Sequence, residues 1–199
     1  MDLAMWFLVI GLGNPGKDYS ATRHNVGFRV VDCLAERHGV AYNKKQFFSQ
    51  TGQGRIAQQK VLLLKPMTYM NQSGKAVQAA IAYLKVPAER VLVVHDDMDL
   101  SLGRIQVKQG GGHGGHRGLQ SVIETLSNSE FTRIRIGIGK PTTGQDGADY
   151  VLEPFDSTER KVVDDVVERA TEAIVVWLEN GIVTAMNRYN TWPNSTSEV

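Results

Sequence analysis

The chain is poor in cysteine, with Cys33 the only one among 199 residues. A single thiol cannot close an internal disulfide or build a cysteine-rich zinc site, and its presence fits a reducing compartment. Long apolar runs are also missing. The run from Ala4 to Ile10 has no Lys or Arg before it and ends in Gly11-Leu12-Gly13-Asn14-Pro15-Gly16 without a small-residue cleavage pattern, so it reads as a strand and not a leader. No segment reads as a membrane span. Repeats and low-complexity stretches are absent, as are a G-x-S-x-G elbow and the H-x-E, C-x-x-C and H-E-x-x-H metal spacings. With Cys33 inside a helical pattern, the chain offers no obvious protein nucleophile. A hydrolase built on it would use water as the attacker and a histidine as the base.

Charge of one sign is lacking as well, since the formal net charge is +1, but the balance is uneven along the chain. From Ser101 to Lys140 six basic residues (Arg104, Lys108, Arg117, Arg133, Arg135, Lys140) face only Glu124 and Glu130. From Gln145 to Glu179 ten acids face Arg160, Lys161 and Arg169. A basic patch on a near-neutral protein suits a polyanion met at one face.

With 42% hydrophobic residues there is enough apolar surface for one good core, and nothing reads as a linker. The spacing predicts a strand over Phe7 to Ile10, then a helix from about Val26 that Gly39 stops. Phe47 to Ile56 and Val61 to Leu64 read as a hairpin, Ser73 to Leu84 as a small-residue helix, and Arg90 to Val94 as a buried strand. Strands at Arg104 to Lys108 and Phe131 to Ile138 flank a Gly-rich loop and a helix over Gly118 to Leu126. A long acidic amphipathic helix over Ser157 to Glu179 and a short one over Ile182 to Arg188 follow. The expected fold is α/β: a single three-layer domain over 1–190, with a mixed, mostly parallel sheet between helices, and a polar tail at 191–199 read as disordered.

Four loops carry chemistry. The first holds Asn14, Tyr19, His24 and Asn25. Its glycines match G-x-G-x-x-G, but a dinucleotide site needs a helix starting inside the motif, and here the helical pattern waits until about Val26. The second, Met67-Thr68-Tyr69-Met70-Asn71-Gln72-Ser73-Gly74, reads most simply as an Asn71 cap with methionines filling the core. The third, His95-Asp96-Asp97-Met98-Asp99, is either an acidic turn or a divalent metal site. The fourth, Gly110 to Gly118, packs six glycines into nine residues with a helix behind them, which favours a phosphate, though it lacks the G-K-[ST] ending of a P-loop.

The blocks G-L-G-N-P-G…T-R-H-N, K-P-M-T-Y-M-N-Q-S-G-K-A-V, H-D-D-M-D-L, G-G-G-H-G-G-H-R-G-L and R-I-R-I-G-I-G-K-P, in that order, closely resemble the bacterial-type peptidyl-tRNA hydrolases. The resemblance runs up to Asn190. It implies a cofactor-free, metal-free cytoplasmic monomer that cleaves the ester joining a peptide to the 3′ ribose of tRNA, gripping the acceptor stem and 3′ end. It also implies roles: His24 as catalytic base, Asp96 as its orienting acid, Asn14 and Asn71 as holders of substrate, Tyr19 and Met70 as cleft residues, and Lys108 and Arg135 as phosphate contacts. The chain departs from the family at Arg117, where the family generally has Asn, so a charged guanidinium takes a substrate-binding position. Two other readings stay open on the residues: a noncatalytic RNA-binding relative of the same fold, and a metal-dependent phosphohydrolase using His95 to Asp99.

Overall fold

A computed structural model describes residues 5–191, so the tail expected at 191–199 lies outside the described residues from 192 onward. The elements are β1 (Phe7–Gly11), α1 (Val26–Arg37), β2 (Lys44–Gln46), β3 (Ser49–Ile56), β4 (Gln59–Pro66), α2 (Ser73–Leu84), β5 (Val91–Asp97), β6 (Ile105–Gln109), α3 (Arg117–Leu126), β7 (Thr132–Gly137), α4 (Gly147–Tyr150) and α5 (Ser157–Tyr189). They form one seven-stranded sheet in the order β2-β3-β4-β1-β5-β7-β6. The central strands β4, β1, β5 and β7 are parallel neighbours, while β2, β3 and β6 join by antiparallel pairing.

The central strands are near-continuous apolar runs because helices cover both of their faces. Val9, Leu63, Leu92, Val94, Ile134 and Ile136 face α1 and α5. Leu8, Ile10, Leu62, Leu64, Val91 and Val93 face α2 and α3. This is the expected three-layer arrangement. Because β1, β4 and β5 run the same way, the loops after Gly11, Pro66 and Asp97 gather at one end of the sheet, where open α/β sheets place their sites.

Two local differences have physical causes. The hairpin strand expected to begin at Phe47 begins at Ser49, because Phe47 and Phe48, with φ of 53° and 52°, are the two turn residues between β2 and β3. Such tight turns demand positive φ at both positions, whereas a pair of aromatics reads as strand. The four-residue α4 is too short to show a helical period. At the C-terminal end, Gly181 (φ 79°) breaks α5 between the two helices expected there.

One close approach fixes the front of α1. A Cβ on Gly27 would come within 2.5 Å of Leu12 O and 2.6 Å of Val94 O, so the helix starts directly on the backbone of β1's exit and of β5. That contact places the turn before α1 over the C-terminal end of β5.

Candidate active site

A cleft of about 640 Å³ opens at this end of the sheet. Its lining includes Asn14, His24, Tyr69, Met70, Asn71, Asp96, His116 and Arg117, together with Gly147, Ala148, Val151 and Leu152. All four loops singled out by sequence, the Gly-rich one included, therefore meet there. Tyr19 is not among the lining residues, nor are Lys108 and Arg135.

Asp96 lies near the end of β5, only 2% exposed, with a histidine on each side. His24, in a short 3₁₀ turn over Arg23–Asn25, brings Nδ1 to 2.9 and 3.0 Å from the two carboxylate oxygens. His116 brings Nε2 to 2.9 Å from Oδ1. The backbone settles which nitrogen of His116 carries the proton. Its Nδ1 accepts the Leu119 backbone N–H at 3.1 Å as the N-cap of α3, so Nε2–H is the donor to Asp96. By the same reasoning, with Asp96 ionised, His24 donates through Nδ1–H and its bare Nε2 is left for the cleft that the ring lines.

Burial on its own would push the Asp96 carboxyl up. Electrostatic attraction and hydrogen bonds from His24 and His116 outweigh it and hold the group well below the ordinary carboxylate value. His95 is different. Burial, and after it the neighbouring His116, push this ring down to about 3, while its Nδ1–H donates to the Asp96 carbonyl at 2.8 Å and its Nε2 has no partner among the described residues. His95 is thus a neutral ring stacked edge-on against His116, with centroids 4.9 Å apart.

The asparagines are held as carefully. Asn14 donates its backbone N–H to Asn25 Oδ1 at 2.8 Å, and Asn25 Nδ2 donates back to Asn14 O at 2.9 Å. Asn14 Oδ1 accepts the Met70 backbone N–H at 2.8 Å, which fixes the amide so that its Nδ2 is the end left to donate. Met70 is buried, whereas Asn71 is exposed on the cleft wall and does not cap α2 through its side chain.

The acidic turn is not a convergent ligand set. Asp97 pairs with Arg135 Nε at 2.7 Å, and Asp99 lies 3.4 Å from Lys140. Among the described residues, the donors close enough for a metal are those of His24, Asp96 and His116, within 4.8 Å of one another. The same three side chains are joined by hydrogen bonds, each histidine to Asp96. Arg117 is exposed at the start of α3 and, among the described residues, is the one lysine or arginine lining the cleft; it does not pair with Asp96, whose oxygens the two histidines occupy.

Lys108 and Arg135 lie on the neighbouring edge of the sheet. On β6 and β7, Ile105, Val107, Ile134 and Ile136 turn into the core, which leaves Gln106, Lys108, Arg133 and Arg135 on the opposite face. Arg133 is buried and donates to the carbonyls of Gly111 and Gly112, tying the Gly-rich loop down. The residue that sequence reasoning passed over is His116. Its signal was present: of the two Gly-Gly-His repeats, the second directly precedes a helix, where a side-chain acceptor caps best.

A family model described as peptidyl-tRNA hydrolase matches residues 8–198 of this chain. The peptidyl-tRNA hydrolase of Carboxydothermus hydrogenoformans is 50% identical over 184 residues, 92% of this chain and 98% of that protein. That of Chloroflexus aurantiacus is 46% identical over 187 residues, 94% of this chain and 99% of that protein. The crystal structure of the peptidyl-tRNA hydrolase of Acinetobacter baumannii superposes with a TM-score of 0.88 at 37% identity, covering 96% of this chain and 97% of that one. In sequence and in fold alike, over almost its whole length, the chain belongs to the peptidyl-tRNA hydrolase family.

Proposed function

We propose that this protein hydrolyses the ester between a peptide and the 3′ ribose of tRNA, with water as the nucleophile and no covalent intermediate. The observation that carries the reading is the His24–Asp96 pair, with Nδ1 held at 2.9 Å and Nε2 left to the cleft. Nε2 takes a proton from water as its oxygen bonds to the ester carbonyl carbon. The negative charge that develops on the carbonyl oxygen is met by amide donors, Asn14 Nδ2 foremost and Asn71 beside it. The bond to the ribose oxygen then breaks, and the imidazolium returns its proton to that oxygen. Asp96 stays ionised throughout, fixing the tautomer of His24 and stabilising its charged form.

The catalytic unit is the stretch over 1–190, acting as a cytoplasmic monomer. Met70 forms part of the substrate wall, and the scheme makes no use of Tyr19. Lys108 and Arg135, on one face of the β6–β7 edge, take phosphates of the acceptor stem, and Arg117, at the cleft mouth, takes one near the 3′ end.

The test is tRNA release from an N-acetylated aminoacyl-tRNA, with and without EDTA. His24→Ala is expected to lower turnover by about two to four orders of magnitude. Asp96→Asn should cost less at the same step, and tRNA binding should persist in both. Near-wild-type turnover in His24→Ala would remove the histidine from the mechanism, and loss of activity in EDTA would favour the metal-dependent reading.

A further inference from the structure

The residue before the base is as closely held as the base itself. Arg23 is 6% exposed, and its guanidinium meets Glu159 with both ends, Nη1 to Oε1 at 3.0 Å and Nη2 to Oε2 at 2.8 Å. It also lies over the rings of Tyr150 and Phe155, at 4.4 and 4.8 Å from their centroids. Glu159 belongs to the first turn of α5, where its Oε2 accepts the Asp156 backbone N–H at 2.9 Å and closes a capping box. One carboxylate therefore holds both the start of α5 and the side chain next to His24.

The backbone of the turn is tied to the same region. Arg23 N–H donates to Glu153 O at 3.0 Å, His24 N–H donates to Val151 O at 2.9 Å, and Thr22 bridges to Pro154. On its other side the turn runs into α1, which rests on Leu12 and Val94 through Gly27. A buried ion pair is a poor device for stability alone, since apolar residues of the same volume often serve as well. What a two-pronged, stacked guanidinium supplies is a fixed geometry.

We propose that Arg23 and Glu159 are a positioning pair for the hydrolysis: they clamp the His24 turn against the start of α5, so that Nδ1 keeps its bond to Asp96 and Nε2 its aim at the attacking water. The inference rests on the reading of His24 as the base. Neither clamp residue lines the cleft, so the clamp acts on the chemical step and not on binding.

The experiment compares Arg23→Met, Glu159→Gln and the double variant with wild type and His24→Ala, in the tRNA-release assay below each protein's melting temperature. Both single variants are expected to lose about tenfold to hundredfold in kcat with KM changed by less than about twofold, the signature of a misplaced group. The double variant should lose no more than the worse single one, because the two residues form one unit. Should Arg23→Met fail to fold, Glu159→Gln, which keeps the shape of the side chain, carries the test. A lowered melting temperature with unchanged kcat in Glu159→Gln overturns the proposal, as does a loss confined to KM. If His24→Ala itself retains turnover, the reading of the base fails and takes the clamp with it, an outcome distinct from intact catalysis in the clamp variants alone.

Discussion

Replacing His116 with alanine cuts two bonds whose worth can be set out separately. The first is Nε2–H to Asp96 at 2.9 Å, a hydrogen bond to a buried charged acceptor, worth about 1.5–3 kcal/mol. The second is the Nδ1 cap on the Leu119 N–H at 3.1 Å, worth about 1 kcal/mol. Together the loss should be about 2.5–4 kcal/mol. Asparagine is a good N-cap but too short to reach Asp96, so His116→Asn should recover about 1 kcal/mol of this and no more. Catalysis should not follow the cap. In both variants Asp96 retains a single ring to hold, and kcat should fall by about tenfold to hundredfold in each, the usual cost of removing a partner of an orienting residue. Urea unfolding at neutral pH gives the stabilities, and tRNA release gives kcat. Both variants within about 0.5 kcal/mol of wild type would show that neither bond matters to the fold. A kcat that recovers in step with the cap would show that His116 serves only α3.

Further outcomes follow from the charges. The His95 ring stays neutral in the fold down to about pH 3 while the unfolded chain takes up its proton below about 6.5, so this residue makes stability fall on acidification across that window. His95→Phe should flatten the wild-type curve of stability against pH there, and parallel curves would contradict the assignment. Lys108→Ala and Arg135→Ala should each weaken tRNA binding at low salt and reduce the salt slope by roughly one phosphate's share, with the chemical step unchanged; equal slopes would reduce the patch to a solvated surface. Arg117→Asn should raise KM for tRNA-linked substrate and leave kcat within a few-fold, whereas a large gain in kcat would mean that the arginine holds the enzyme in a weakened state.

The parallel strands were legible because burial on both faces writes them as unbroken apolar runs, and Val91 to Val94 could hardly be anything else. The end of β5 was read less well. His95, Asp96 and Asp97 continue the strand, but three polar residues in a row carry the signature of a turn. The break at Gly181 was visible as a glycine between two apolar patterns. In the site, Asn14, His24 and Asn25 stood out as a polar loop after the first strand, but the roles of His24, Asn14 and Asn71 came only through the family's motifs, since an Asn that binds substrate and one that caps a helix look alike in sequence. His116 stayed hidden because its partner Asp96 is twenty residues away, and no local pattern reports that distance. The same holds for Arg23 and Glu159, separated by 136 residues.

The seating of α1 on bare backbone at Gly27 bears on how the protein fails when heated. His24 hangs from the front of that helix and Asp96 from a strand inside the sheet, so both sides of the proposed catalytic pair are buried and anchored on the core. While the Arg23–Glu159 clamp and the core both hold, the pair should stay closed. Loss of activity on heating and loss of the fold should then be one event at one temperature, with no interval in which a folded protein has already stopped working.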